Sequence, residues 1–255
     1  MKVVILAGGL GTRISEESAI IPKPLIEIGG KPLLWHVMKI YSFYGYNDFI
    51  IACGYKGEKI KQYFSNLYLN SNDFNVETRS NKVKIIPKNT EDWKVTLIDT
   101  GLDTMTGGRL KRLEKYIEGD TFMATYGDGL SDINVSKLIA FHKSHKKKAT
   151  VTAVRMPRFG ILKIGKENVV TDFQEKRLDN SPFISAGFFV LSKDILDYIK
   201  NDNIPFETTP LQTLAEEREL IAYKNLKFFR PLDTLNDKKI LEDLWNSKKA
   251  PWKVW

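Results

Sequence analysis

The sequence predicts an α/β protein: a mostly parallel mixed sheet flanked by helices, with a smaller antiparallel lobe attached to it. Three observations carry this reading. The chain opens on a short β-branched run, Val3-Val4-Ile5-Leu6, that breaks into glycines, and apolar runs of this length ended by glycine read as buried parallel strands. Up to residue 148, further apolar strands alternate with stretches of helical periodicity, the pattern of right-handed βαβ units. From Ala149 onward the texture changes to short strands split by Gly, Pro and Asn, which suits antiparallel pairing.

In chain order, Pro32 begins an amphipathic helix with Leu33, Leu34, Val37, Ile40, Tyr41 and Tyr44 at helical spacing, stopped by Gly45. A strand follows at 48–53, closed by Gly54-Tyr-Lys-Gly57, and Ile60, Tyr63, Phe64 and Leu67 mark a second helix. Residues 69–82 are polar and rich in turn formers, which fits a surface loop or a projecting hairpin equally. Strands at 82–87 and 94–99 come next, and Gly107-Gly-Arg-Leu-Lys-Arg-Leu113 opens a helix, whose N-terminus is expected to offer a phosphate or base site. The strand at 121–126 ends in Gly127-Asp128-Gly129, and the helix from about Asn134 carries Val135, Leu138, Ile139 and His142 on one face, with His142 at the core edge. Strands are expected at 150–154, 160–164, 169–173 and 183–191, and helices at 193–200, 208–218 and 234–248. No repeat, linker or low-complexity tract interrupts this, so residues 1–255 read as one unit with halves at 1–148 and 149–255.

Composition is that of an ordinary soluble chain: 255 residues, 42% apolar and 27% charged. No apolar run approaches the ~20 residues that span a bilayer, and no h-region follows Lys2. A single cysteine, Cys53, excludes an intrachain disulfide, and no Cys/His cluster has zinc spacing. A cytoplasmic location is expected. The net charge of +8 raises nucleic acid, an anionic surface or small polyanionic substrates. Its densest run, 142–148, sits at a predicted helix end, where cations suit the dipole. No nucleic-acid-binding motif surrounds it, so neither nucleic acid nor membrane is expected as a partner.

The chemistry gathers on the first loop. Gly8, Gly9 and Gly11 permit backbone N–H groups to approach a ligand, and successive N–H groups make an anion-binding concavity. Arg13 adds a bidentate phosphate donor. A P-loop is excluded because no Lys-Ser or Lys-Thr follows, and a dinucleotide fingerprint because Ile14 stands where its third glycine belongs. Further polar signals recur where strands end: Lys23 between two prolines, 104–109 with Arg109, Asp128 between two glycines, Glu175-Lys176, Gly187 and Asp233. Ligands of open α/β sheets bind outside the carboxyl ends of strands. Four cations (Arg13, Lys23, Arg109, Lys176) and two carboxylates (Asp128, Asp233) converging there suggest phosphates with Mg²⁺, which takes one or two carboxylates and completes its shell with phosphate and water. Alone, 126–129 could be a turn and Asp233 a helix N-cap.

The run from Leu6 to Arg13 together with Pro22-Lys-Pro24 resembles the signature of the sugar-nucleotide transferases, which make NDP-sugars from an NTP and a sugar 1-phosphate. Further runs at 28–36, 54–57, 95–101, 106–112, 126–129, 173–176 and 250–255 extend the resemblance over essentially the full length, toward members that use CTP and glucose 1-phosphate. It implies a Rossmann-like sheet with a sugar-phosphate lobe in the second half. It implies that Leu6, Ala7, Gly8, Gly9, Leu10, Gly11, Thr12, Arg13, Lys23, Thr104, Thr106, Arg109 and Asp128 hold the nucleotide, with Arg13, Lys23 and Asp128 catalytic. Mg²⁺ on Asp128 and Asp233, sugar-phosphate contacts from Glu175, Lys176 and Gly187, and a homo-oligomer are implied as well. The chain departs from the family pattern in having Arg177 after Glu-Lys and Ser185-Ala186 before Gly187. The cytosine preference rests on the resemblance alone. Trp245, Trp252 and Trp255 are too many large apolar groups for a free tail and are expected to pack on the chain or a neighbouring subunit.

Overall fold

The structure is a computed structural model, and it describes residues 1–88, 90–156, 161–164, 168–174 and 182–255. A seven-stranded sheet runs in the order Leu220–Lys224, Ala149–Arg155, Phe183–Ser192, Thr121–Tyr126, Val3–Leu6, Asp48–Cys53, Lys94–Asp99. Phe183–Ser192 runs antiparallel to both neighbours, and every other adjacent pair is parallel. Val3–Leu6 has a parallel strand on each side and is buried throughout, which is why it is uniformly apolar rather than alternating.

Side chains along a strand point to opposite faces, and the core divides accordingly. Val3 and Ile5 share one cluster with Leu33, Val37 and Tyr41 of the helix Leu33–Phe43, Leu138 of the helix Val135–His145 and Trp252 near the C-terminus. Val4 and Leu6 share the other with Leu110 of the helix Thr106–Arg112, Ile195 of the 3₁₀ turn Lys193–Tyr198 and Leu214 of the helix Thr209–Glu216. The sheet is thus covered on both faces, with the carboxyl ends of its parallel strands left for loops.

Part of the expected antiparallel stretch is built into the central sheet. Two of its strands, Ala149–Arg155 and Phe183–Ser192, belong to the central sheet, which continues without a break across residues 148 and 149. Residues 186–191 are buried on both faces as a central strand requires, Gly187 included. Among the described residues the separate part is the pair Ile161–Ile164 and Val170–Gln174. The uncertain stretch at 69–82 resolves into the end of the helix Gly57–Ser71 and a hairpin, Asp73–Glu77 paired with Lys82–Ile86, that stands out from the body. The last helix, Leu235–Asn246, leads to a C-terminal segment that folds back, with Trp252 fully buried. Trp252 stacks on Phe228 and Trp245, and Trp255 meets Trp35 edge-on, so the tryptophans pack on the chain itself. Among the described residues no helix is long and apolar enough to cross a membrane.

Candidate active site

The glycine loop begins between two strand ends. The Ala7 N–H donates to the Ala52 carbonyl at 3.1 Å, and the Gly127 N–H donates to the Leu6 carbonyl at 3.0 Å. Gly11 then turns the chain with a φ of +67°, a region that favours glycine. Its carbonyl accepts the Ser18 hydroxyl at 3.0 Å. At Gly8 packing also demands a glycine, since a Cβ there would lie 2.4 Å from an Arg109 nitrogen. Gly9, by contrast, opens onto free space. Together these residues wall a cavity of about 290 Å³, the size of a small ligand pocket. Every residue of the expected nucleotide set lines it except Leu10, which stands outside and is largely exposed. Pro24, Met105, Tyr126 and Gly127, which lie within the sequence motifs but outside the expected nucleotide set, complete the wall.

Beside this cavity the chain gathers four charges. The Lys23 ammonium donates to Asp128 Oδ2 at 2.7 Å and to Asp233 Oδ1 at 2.9 Å. Arg13 donates to the other Asp233 oxygen, Oδ2, at 2.7 Å. Lys23 opens a 3₁₀ turn, Lys23–Leu25, next to Pro22, and its side chain is buried. A short ribbon sets the two carboxylates side by side. Gly129–Ser131 pairs antiparallel with Phe229–Pro231, and the Leu232 N–H donates to the Asp128 carbonyl at 2.8 Å. Asp233 itself is 3% exposed. Capping of the last helix falls to Thr234, which forms a reciprocal capping box with Asp237. The Asp233 carboxylate therefore serves the charge cluster and not the helix end.

The donor set suits a magnesium ion. Two carboxylate oxygens lie within hydrogen-bond reach of one cationic nitrogen, so they converge on a single point, and hard carboxylate oxygens are the ligands Mg²⁺ takes. Among the described residues no three of His, Cys, Asp and Glu gather into a metal cage, so an ion held here would fill its shell with water and phosphate.

Other expected site residues are placed differently. Arg109 is 4% exposed, and its guanidinium donates to the carbonyls of Gly8, Cys53, Gly101 and Leu102 and to the Thr100 hydroxyl. It touches the cavity wall, but its donors in these bonds are spent on the protein, and burial pulls its pKa down from the ordinary value. The helix start at 106 is likewise occupied. The Met105 and Gly107 N–H groups donate to the Asp202 and Ile204 carbonyls, at 2.8 and 3.1 Å. Two of the N–H groups at that helix end are therefore taken by protein carbonyls.

Thr104 is buried on the cavity wall, and the Thr106 hydroxyl donates to Glu207 Oε2 at 2.6 Å. The other Glu207 oxygen accepts the Tyr126 phenol. Burial and this carboxylate raise the Tyr126 pKa, so the phenol keeps its proton. Glu207 escaped sequence reading because nothing around it repeats or clusters; its partners lie 101 and 81 residues away. Gly187 has a φ of +74°, and a Cβ there would sit 2.2 Å from the Tyr126 ring. Glu175 and Lys176 lie outside the described residues.

The fold and the charge cluster together define an α/β protein with a cavity and a set of paired charges at the carboxyl edge of its sheet. A nucleotidyl transferase family model matches residues 2–228. The chain is 52% identical to the glucose-1-phosphate cytidylyltransferase of Salmonella typhimurium, over 100% of both chains. It is 43% identical to the probable glucose-1-phosphate cytidylyltransferase of Bacillus subtilis, again over 100% of both. Among solved structures, HddC from Yersinia pseudotuberculosis complexed with GMP-PN aligns with a TM-score of 0.69 at 26% identity, covering 96% of this chain and 99% of that one. The chain belongs to the nucleotidyl transferase family.

Proposed function

We propose that the protein transfers the cytidylyl group of CTP to α-D-glucose 1-phosphate, forming CDP-glucose and pyrophosphate. The observation that carries the reaction class is the convergence of Arg13, Lys23, Asp128 and Asp233 beside the loop-walled cavity. The full-length identity to glucose-1-phosphate cytidylyltransferases supports the base and the sugar.

An oxygen of the sugar phosphate attacks the α-phosphorus in line, a new P–O bond forms, and the bond from the α-phosphorus to the bridging oxygen breaks as pyrophosphate leaves. The nucleophile is already an anion at neutral pH, so no general base is required. The obstacle is charge: at ~4 Å and an effective dielectric of about 20, each pair of like unit charges repels by roughly 4 kcal/mol. Cations held in place before the substrates arrive offset this without reorganisation at the moment of reaction. Arg13, its side chain 68% exposed at the rim, is available to the departing pyrophosphate, and Lys23 to the α-phosphate. Mg²⁺ on Asp128 and Asp233 would supply Lewis-acid neutralisation of phosphate oxygens.

In this reading the loop residues 6–13 cradle the nucleotide, with Thr104 and Thr106 beside them. Arg109 acts by fixing the Gly8 carbonyl. Glu175, Lys176 and Gly187 belong to the sugar-phosphate side. The enzyme works in the cytoplasm, without nucleic acid or membrane, as a homo-oligomer; Phe74, Val76 and Val83, exposed on one face of the hairpin, are apolar area for a second copy.

The test is pyrophosphate release with glucose 1-phosphate and each of CTP, UTP, dTTP and GTP. Preference for CTP is the expected result, and preference for UTP overturns the assignment. Asp128→Asn at limiting Mg²⁺ is expected to lose about 10²–10³ in kcat, the scale of a lost electrostatic contact in a transition state. Near-normal turnover by that variant would remove the metal role.

A further inference from the structure

We propose that Lys23 is an internal stand-in for the metal: its ammonium occupies the point between Asp128 and Asp233, and a divalent cation enters only when nucleotide phosphates draw Lys23 away. The inference rests on the metal reading of the two carboxylates given above and adds an order to it.

The geometry is the starting point. Lys23 Nζ lies 2.7 Å from Asp128 Oδ2 and 2.9 Å from Asp233 Oδ1, the two oxygens that would face an ion bound between those residues. Arg13 holds the remaining Asp233 oxygen at 2.7 Å. Two carboxylates and two cations make this four-residue set neutral. Asp233 and Lys23 are both buried, their side chains 5% and 8% exposed, so an added divalent ion could not be balanced cheaply by water. With Lys23 in place, such an ion would meet an ammonium already seated on the same oxygens.

A polyphosphate changes that balance. Lys23 lines the cavity as well as the carboxylate pair, so phosphates entering the cavity bring negative charge within its reach. A lysine suits the exchange, being a compact point charge on a flexible four-carbon stem, whereas a guanidinium fork would lock onto one partner. Once the ammonium turns to phosphate, Asp128 Oδ2 and Asp233 Oδ1 lose the cation they share, Arg13 staying on Asp233 Oδ2, and become ligands for the ion. Nucleotide and metal therefore bind cooperatively, and by linkage each raises the other's affinity by the same factor. The empty enzyme keeps its carboxylates paired and its metal position closed.

The experiment measures Mn²⁺ binding to the full chain without nucleotide, by the electron paramagnetic resonance signal of free Mn²⁺, in wild type, Lys23→Met and Lys23→Gln. Both variants are expected to bind Mn²⁺ about tenfold more tightly than wild type, within the usual range of site coupling. Adding Asp128→Asn to either should abolish that gain. Should the variants fold poorly, the wild type alone decides: nucleotide-free crystals soaked in Mn²⁺ should show no anomalous peak between Asp128 and Asp233, and crystals soaked in Mn²⁺ with CTP should show one. Equal Mn²⁺ affinity in all three proteins, a gain that survives Asp128→Asn, or a peak beside an unmoved Lys23 would overturn the proposal. If the CTP crystals carry a peak at the carboxylates while the lysine variants gain nothing, the stand-in role fails and the metal reading stands. If no peak appears there even with CTP, both fail.

Discussion

The Arg109 guanidinium ends on four backbone carbonyls and one hydroxyl, drawn from the loops that follow three adjacent parallel strands: Gly8 after Val3–Leu6, Cys53 at the end of Asp48–Cys53, and Thr100 to Leu102 after Lys94–Asp99. It is a tie across the carboxyl edge of the sheet, and Gly8 and Gly54 are bare so that it can lie there, since a Cβ at either would come within 2.4 Å of it. Removing it would strip the Gly101 and Leu102 carbonyls of this donor and untie the three loops, while the Gly8 carbonyl keeps the Tyr55 N–H and the Cys53 carbonyl keeps the Thr100 N–H and hydroxyl. An acceptor left unpaired costs about 1–3 kcal/mol where water cannot reach it. Arg109→Met is therefore expected to lower unfolding stability by about 1–3 kcal/mol, read from urea denaturation. Arg109→Lys should not restore it, because one ammonium cannot span three loops. Nucleotide affinity should fall together with stability. If Arg109→Met lost nucleotide affinity at unchanged stability, the residue would be a phosphate ligand after all.

At the scale of elements, the strand Phe183–Ser192 and the loop before the helix Thr209–Glu216 meet on Tyr126. Gly187 packs beneath its ring, and Glu207 holds its hydroxyl and the Thr106 hydroxyl at once. This brace joins the cavity proposed for the nucleotide, which Tyr126 lines, to the side proposed for the sugar phosphate. Gly187→Ala would force an L-residue to a φ of +74° and drive a methyl into the ring. It is expected to raise KM for glucose 1-phosphate about tenfold, since a displacement near 1 Å at a positioning contact carries losses of that order or more. Glu207→Ala frees the same ring without backbone strain and should raise KM while leaving stability near that of wild type; steady-state kinetics with both substrates and thermal melts separate the two effects. What was legible in the sequence follows from locality. Val3–Leu6 announces itself by four consecutive apolar residues, and Leu33–Phe43 by its spacing with a proline before and a glycine after. Lys23, Asp128 and Asp233 stood out because prolines, glycines or a capping pattern flank them. Glu207 and the ribbon of Gly129–Ser131 with Phe229–Pro231 carry no local mark, because what defines them is a partner about a hundred residues away. Arg109 was legible as a cation at a helix start but not as a tie, since charge type alone does not distinguish a carbonyl acceptor from a phosphate.

At the scale of the molecule, the C-terminal segment closes over His36 and so fixes the far end of the helix whose first turn follows Asp233. His36 is fully buried, ringed by Trp35, Trp245, Trp252 and Trp255 with ring centroids 4.8 to 6.2 Å away. Its two nitrogens have fixed roles. Nε2 lies 2.8 Å from the Ile28 carbonyl, which can only accept, and the Trp252 indole N–H, which can only donate, reaches Nδ1 at 3.3 Å. The ring is therefore neutral with its proton on Nε2, and protonation of Nδ1 would set a second N–H against the indole. Burial lowers its pKa from 6.5 to about 4. Because the folded value lies below the unfolded one, the unfolded chain takes up the proton first as pH falls. Stability from this group is complete above about pH 6.5 and is lost progressively down to about pH 4, by about 3 kcal/mol in all. His142, bonded through Nδ1 to the buried Thr150 hydroxyl at 2.8 Å and also lowered to about 4 by burial, acts in the same direction over the same window. The expected outcome is a urea midpoint that falls between pH 6.5 and pH 4 in wild type, followed by the fluorescence of the tryptophans around His36. In His36→Gln, which keeps a donor for Ile28 but carries no titrating ring, the midpoint at pH 7 should be lower and its slope with pH shallower. Subtracting the two profiles removes the carboxylates that titrate in both proteins and leaves the histidine's own share. An identical slope in the variant would show that the tryptophan seal is not what acid opens.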